Sequence, residues 1–348
     1  MISHSAAIGF GGEVSLVEAQ FAKALSPGDT IAIVAPAGPL DRERIERATE
    51  RLESMGFKVQ AGPGLYRAND YLAGSDEQRS NELMAAFADA EVDGIFPGTG
   101  GYGTTRILDR LDYDVIRRNP KVFIGFSDIT ALHITIFQRT GLVTFHSPNP
   151  QWGLGSPEDL APIAGKFFWR AILASKYKNA AGPAQAGYAI RVSPVDVDVP
   201  QPTTLSAGAA RGRLIGGNLS LVHALMGTPY EIETEGRILF LEDVGEAPYR
   251  VDRMLQTLKS AGKLQKPAGV VLGAFTRREE EDTEGEVVTI DEVLSGFFAD
   301  APYPVLAGFP VGHQRNNVTL PVGAQAELDA SGKTLRLLEN PVVVPRTQ

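Results

Sequence analysis

A serine hydroxyl attacks a carbonyl at neutral pH only when a base takes its proton and donors meet the developing oxyanion. The stretch from Gly94 to His146 offers a serine in a setting of that kind, a glycine turn within GTGGYGTTRILDRL followed by KVFIGFSDITALH. The run Val122, Phe123, Ile124 between Lys121 and Gly125 reads as a buried strand, and Asp128 to Phe137 carries apolar residues at helical spacing. Ser127 therefore falls at a strand-to-helix turn. Gly125, Phe126 and Ser127 make half of a G-x-S-x-G elbow, with Ile129 where the last glycine would stand. The competing role for such a serine is helix N-cap. If Ser127 is the nucleophile instead, Asp128 or Thr130 has to help satisfy the helix start.

Oxyanion donors are expected from backbone N–H groups, one at Asp128 and one in the turn Gly100, Gly101, where a missing Cβ lets backbone approach the reacting carbon. The same glycines would suit a phosphate cradle. GTGGYG lacks both G-x-G-x-x-G spacing and the Gly-Lys-Ser/Thr ending of a P-loop, which argues against nucleotide binding.

Of five histidines, His313 is the best-placed base, at the end of the apolar run Val305 to Val311 and before the polar turn Gln314, Arg315, Asn316, Asn317. His4 lies in an N-terminal arm. His133 and His223 fall inside helical apolar patterns, where a packing role is the default. His146 ends the strand LVTFH, with substrate contact and a supporting hydrogen bond both open to it. Glu242 closes the strand ILFLE, where a carboxylate is costly to bury unless paired. Adjacent Asp243 is its rival for orienting the base, and strand alternation points the two in opposite directions.

These residues need a scaffold. TIAIVAP, FKVQAG, GIFPG, KVFIGF and LVTFHSP alternate with amphipathic segments, the βαβ pattern of a parallel sheet under helices. Ligands in such sheets lie beyond the carboxyl ends of the strands, so Ala35 to Gly38, Pro97 to Gly101, Phe126 to Ser127 and His146 to Pro148 should share one rim. Residues 1–26 read as an N-terminal extension and 27–150 as the nucleophile domain. Residues 151–210, weakly patterned and holding Val199-Pro200-Gln201-Pro202, read as an interdomain linker. A second alternating block fills 211–348 and carries Glu242 and His313, so the site is expected where the two domains meet.

With 348 residues, 43% hydrophobic and 22% charged, the chain suits a two-domain globular protein. No apolar run approaches the roughly 20 residues that span a bilayer, and the N-terminal stretch, with Glu13 and Glu18, lacks the pattern of a signal peptide. A cytoplasmic protein is expected. Zero cysteines exclude disulfides, thiolate nucleophiles and cysteine-bound zinc. A net charge of −9 argues against nucleic acid and anionic membranes as partners, which favours a small molecule or peptide. The acidic run Glu279 to Asp282 reads as a solvated loop, and no metal or other cofactor is expected.

Set side by side, PGDTIAIVAPAGP, GGYGTTRIL, PKVFIGFSDITALH, LIGGNLSLV, LFLEDVGEAPYRVDRML and GFPVGHQRNNVTLPVG resemble the serine LD-carboxypeptidases, the murein tetrapeptide carboxypeptidases and their microcin C self-immunity relatives, from about Pro27 to Leu328. The resemblance implies an α/β fold, with an N-terminal parallel-sheet domain like class I glutamine amidotransferases and a smaller C-terminal swivelling β/β/α-type domain. It also implies a Ser127, Glu242, His313 triad, hydrolysis of the terminal L,D-peptide bond of a murein tetrapeptide or muropeptide with release of D-Ala, no cofactor, and a homodimer. Two departures are Thr99, where the family usually has arginine, and Ser147, where it usually has glycine. A carboxypeptidase needs a cation or a helix N-terminus for the substrate's free carboxylate, with Arg106, Arg250 and Arg315 as candidate cations. Two alternatives stay open at this point: a peptidase of aminoacyl-nucleotide conjugates, and a binding protein without turnover.

Overall fold

The computed structural model describes residues 17–174, 188–192, 196, 198–276 and 288–344. The strands are β1 (Thr30–Val34), β2 (Lys58–Ala61), β3 (Gly94–Pro97), β4 (Val122–Gly125), β5 (Thr144–His146), β6 (Ala189–Ile190), β7 (Thr203–Ser206), β8 (Ala209–Asn218), β9 (Ile238–Val244), β10 (Gly269–Thr276), β11 (Val305–Ala307), β12 (Leu320–Val322), β13 (Gln325–Asp329) and β14 (Thr334–Leu337). They form a six-stranded sheet in the order β12-β5-β4-β3-β1-β2 and an eight-stranded sheet in the order β6-β14-β13-β8-β9-β10-β11-β7. Strands β1 to β5 run parallel, as do β8 to β11. The alternating pattern of each half thus becomes one sheet.

The helices are α1 (Arg42–Ser54), α2 (Asp76–Ala88), α3 (Tyr113–Arg118), α4 (Thr130–Thr140), α5 (Pro162–Ile172), α6 (Leu219–Ala224), α7 (Pro248–Ser260) and α8 (Ile290–Phe298). Local chemistry sets their ends. The Asp41 side chain caps α1, whose buried Ile45, Ala48 and Leu52 recur at helical spacing. Reciprocal bonds between Ser75 and Gln78 open α2, and a second such box, Thr289 with Glu292, opens α8. Helix α4 is buried along almost its whole length because it lies between the two sheets' layers, in contact with both β5 and β8.

The second sheet has eight strands against six in the first. Two sequence expectations change. The linker 151–210 is not merely a crossover: α5 packs on the first sheet, with Phe168 edge-on to Phe96 at 6.5 Å, and β6 and β7 close the two edges of the second. Short edge strands carry little periodicity, so composition alone hid them. The chain also crosses back. Strand β12 pairs antiparallel with β5, placing Leu320 opposite His146 and covering the open edge of the first sheet.

Within the N-terminal stretch, Ala22, Ala24 and Leu25 are buried and Gln20, Lys23 and Leu25 bridge to Leu142, Val343 and Leu173, so its last residues are tied down rather than loose. His4 and the acidic run at 279–282 lie outside the described residues. Among the described residues, no helix is long and apolar enough to cross a membrane.

Candidate active site

The site begins with backbone strain at Ser127. Leaving β4, the chain turns through Gly125 and extended Phe126 into Ser127 at φ 65°, then a tight turn, Ser127–Ile129, that runs into α4. A non-glycine residue in that region costs about 1–3 kcal/mol, which packing around the turn must offset. This is the backbone of a nucleophile elbow, although Ile129 takes the place of its final glycine. Ser127 does not cap the helix, and neither Asp128 nor Thr130 takes over. Thr130 Oγ1 instead accepts the Asn218 N–H at 3.0 Å, a contact that joins the helix after Ser127 to the end of β8 in the other sheet.

The glycine turn comes up against this elbow. A Cβ on Gly100 would lie 2.7 Å from the Ser127 Cβ, 3.0 Å from its Oγ and 3.1 Å from the Asp128 nitrogen. Only glycine permits this approach, and it brings the Gly100 to Gly101 backbone beside the Asp128 N–H. The Gly38 N–H holds the turn from behind by donating to the Gly100 carbonyl at 3.0 Å.

From the second sheet, β9 delivers Glu242, which is fully buried. His313 sits on the loop after β11, where the Gly312 N–H donates to Asn317 Oδ1 at 2.9 Å and Thr276 Oγ1 donates to the His313 carbonyl at 3.2 Å. Glu242 Oε2 accepts from both the His313 ring Nδ1, at 2.7 Å, and its backbone N–H, at 3.1 Å. Gly312, at φ 110°, makes room for this carboxylate, since a Cβ there would stand 2.5 Å from Oε2. With Nδ1 donating, Nε2 is left as the free base. Burial of the ring works against its charged form, but the hydrogen bond and charge of Glu242, with Asp243 behind, prevail and hold the His313 pKa above the ordinary histidine value. The ring lies 4.9 Å, centroid to centroid, from that of Phe126.

Asp243 faces the other way, as alternation requires. It accepts from Asn218 Nδ2 at 2.9 Å and from the Ser220 N–H and hydroxyl at 3.0 and 2.8 Å, tying down the start of α6. Burial lifts its pKa to about 6.

Ser127, His313, Gly100 and Gly101 all line one cavity of about 650 Å³. Three of the four anticipated rim segments contribute to it, through Thr99 to Gly101, Phe126 to Ser127 and Pro148. Arg315 is the one Lys or Arg among its described lining residues, paired at the mouth with Glu158. Arg106 lies outside, held by Asp76 through two bonds of 2.8 Å, and Arg250 lies beside Glu246, also outside.

His146 is not at the cavity. It is fully buried, edge-on to Phe126 and Phe240, neither ring nitrogen has a hydrogen-bond partner among the described residues, and burial pulls its pKa well below the ordinary value. The β5 register sets it against Gly125 and Leu320, so its strand reaches the rim but its side chain does not. His133 has the packing role its helical pattern implied, bonded to the Gly125 carbonyl at 2.8 Å and Thr144 Oγ1 at 2.9 Å.

Sequence reasoning missed the wall built from Asn149 to Ala161. Trp152, one of two tryptophans, is half exposed there, its Nε1 donating to Thr99 Oγ1 at 3.1 Å and its ring 4.3 Å from the Arg44 guanidinium. A tryptophan amid glycine, proline and acidic residues was the available signal. Thr99, the departure from the family's arginine, thus anchors this wall. Among the described residues no group of three or more histidine or carboxylate side chains is arranged to hold a metal ion.

In chemical class, a carboxylate-bound imidazole across a cavity from a strained serine, with the two groups on separate lobes, is the arrangement of a serine-type hydrolase. The chain matches the LD-carboxypeptidase N-terminal domain over residues 31–147 and the LD-carboxypeptidase C-terminal domain over residues 211–328. It belongs to the LD-carboxypeptidase family and is a serine-type enzyme of that family. A probable murein peptide carboxypeptidase of Bacillus subtilis is 38% identical over 90% of this chain and 92% of its own. The microcin C7 self-immunity protein MccF of Escherichia coli is 29% identical over 90% and 94%. Among solved structures, muramoyltetrapeptide carboxypeptidase from Oxalobacter formigenes is similar with a TM-score of 0.72, at 31% identity over 88% of this chain and 97% of that one. MccF in complex with glutamyl sulfamoyl guanosine reaches 0.80, at 27% identity over 93% and 99%.

Proposed function

We propose that the chain removes the terminal D-Ala from a murein tetrapeptide by cutting its bond to the preceding L-centre, through an acyl-enzyme on Ser127. The 2.7 Å bond from His313 to Glu242, beside the cavity that Ser127 lines, carries this reading. Nε2 of His313 takes the hydroxyl proton as Ser127 Oγ bonds to the scissile carbon. The oxygen turns anionic between the N–H groups of Asp128 and of the Gly100 to Gly101 turn. The C–N bond then breaks, the proton passes to the leaving amine, and a water activated by the same imidazole hydrolyses the ester. Glu242 keeps the ring in one tautomer and stabilises its charged form. Arg315 is the cation in reach of the product carboxylate, and a cytoplasmic setting belongs to the same proposal.

The oxyanion assignment has its own test. Gly100→Ala should lower kcat by about 10²- to 10³-fold, because the new methyl occupies the space next to Ser127 Oγ and the Asp128 nitrogen. Steady-state kinetics on a tetrapeptide would measure it, and a kcat within threefold of the parent would remove the turn from the site.

A second reading is cleavage of aminoacyl-nucleotide conjugates. It draws on the higher TM-score with MccF, 0.80 against 0.72, whereas sequence identity favours the murein enzymes. Incubating the protein with a mixture of muropeptides and an aminoacyl sulfamoyl adenosine, then weighing the products by mass spectrometry, separates the two. Loss of the mass of one D-Ala from tetrapeptides is expected. Turnover confined to the conjugate would reverse the assignment.

A further inference from the structure

Asp128 is a buried carboxyl group for which the reaction above finds no use. Its backbone N–H belongs to the proposed oxyanion site, yet its side chain, 1% exposed, reaches into the glycine loop. There Oδ2 accepts the Thr104 N–H at 2.9 Å, and Thr104 Oγ1 donates back to the Asp128 carbonyl at 2.6 Å, a reciprocal pair in which both residues are buried. Burial pushes the Asp128 pKa up, against the hydrogen bonds from Thr104 and the nearby charge of Arg79. Arg79 grips the same loop from its far side. Its buried guanidinium donates to the Gly103 carbonyl at 2.9 Å and the Pro36 carbonyl at 2.5 Å, and pairs with Asp76.

An oxyanion site made of two N–H groups works only if their separation is held, and here the donors sit on segments distant in sequence. Asp128 carries one donor on its backbone. With its carboxylate and carbonyl it also grips Thr104, three residues beyond Gly101, so one residue spans both halves of the site. We propose that Asp128, through Thr104 and with Arg79 closing the loop from behind, is a positioning residue that sets the spacing of the oxyanion donors. The inference rests on the reading of Ser127 as nucleophile. A misplacement of one ångström in such geometry costs on the order of 10²-fold in rate.

Asp128→Ala should therefore lower kcat by about 10²-fold with KM for the tetrapeptide within about threefold, since ground-state binding does not use the oxyanion donors. A peptide boronic acid, whose tetrahedral adduct on Ser127 does use them, should lose affinity in step with kcat. A merely structural role would not divide the two ligands in this way. Asp128→Asn, which keeps an acceptor for the Thr104 N–H, should recover activity to within about tenfold of the parent. Should Asp128→Ala fail to fold, Thr104→Ala deletes only the hydroxyl bond and carries the same test, with boronate affinity and kcat falling together. A kcat within threefold of the parent, or equal losses for boronate and intact peptide, overturns the inference. If Ser127→Ala is inactive while Asp128→Ala keeps kcat within threefold of the parent, this inference alone fails. If Ser127→Ala stays active, the nucleophile reading fails with it.

Discussion

Replacing Ser127 by alanine is expected to lower kcat/KM by about 10⁶-fold, the scale at which serine triads lose turnover when the nucleophile is removed. Alanine at φ 65° inherits the same backbone strain, so the fold gains no new freedom there. Ser127 is only partly buried and lines the cavity, so loss of its oxygen opens no enclosed void. Peptide affinity should consequently survive. Calorimetric titration with the intact tetrapeptide, alongside mass-spectrometric detection of D-Ala, would measure both quantities on one sample. Residual turnover within tenfold of the parent would place the nucleophile elsewhere.

Glu242→Gln should be nearly as severe, lowering kcat by about 10⁴-fold. Glutamine fits the space, but its amide gives weaker support to the imidazolium that forms in the transition state and leaves the tautomer less firmly set. Alanine would be the poorer experiment, because it opens a cavity at a site with no solvent exposure. The pH profile adds a signature. His313 acts as a base only when neutral, so a pKa held above the ordinary histidine value makes the parent lose kcat/KM at a correspondingly higher pH on the acid side. With the charge of Glu242 gone, burial of the ring prevails, and the acid limb should move to lower pH even as the rate drops. The stability linkage has the opposite sign. A folded-state pKa raised above the unfolded one contributes stability that is fully present below the unfolded pKa and lost as pH rises through the folded one. Over the same window in which activity appears, this contribution fades in the parent and is absent in the variant. Rate and thermal-midpoint profiles against pH would show both, and an acid limb that stays in place would mean that Glu242 does not tune His313.

Several of these features were legible because they are local. Val122 to Ile124 needs only its apolar run to be read as a strand, and Gly125-Phe126-Ser127 needs only its order to be read as a turn. The opposite facing of Glu242 and Asp243 follows from a strand's period of two, and the two carboxylates do part, one to His313 and the other to Asn218 and Ser220. His146 misled because the same strand logic locates a backbone position and not the direction of its ring. Arg106 and Arg250 misled because their partners, Asp76 and Glu246, are a matter of packing rather than of residue type. The wall around Trp152 escaped notice because loops have no period to read.

The residues alone determined the two blocks of alternating strands and helices, a serine at an elbow, a histidine beyond an apolar run and glycines where backbone had to come close, all consequences of hydrophobic period and of conformations open to few residue types; that His313 stands on a loop, six residues past the end of β11, was not among them. Tertiary structure decided the rest. It packed Gly100 against Ser127, brought Glu242 within hydrogen-bond reach of His313 and drew Leu320 back to pair beside His146. Such contacts join residues far apart along the chain, and their formation depends on how complete sheets pack together, a property that no single stretch of sequence carries.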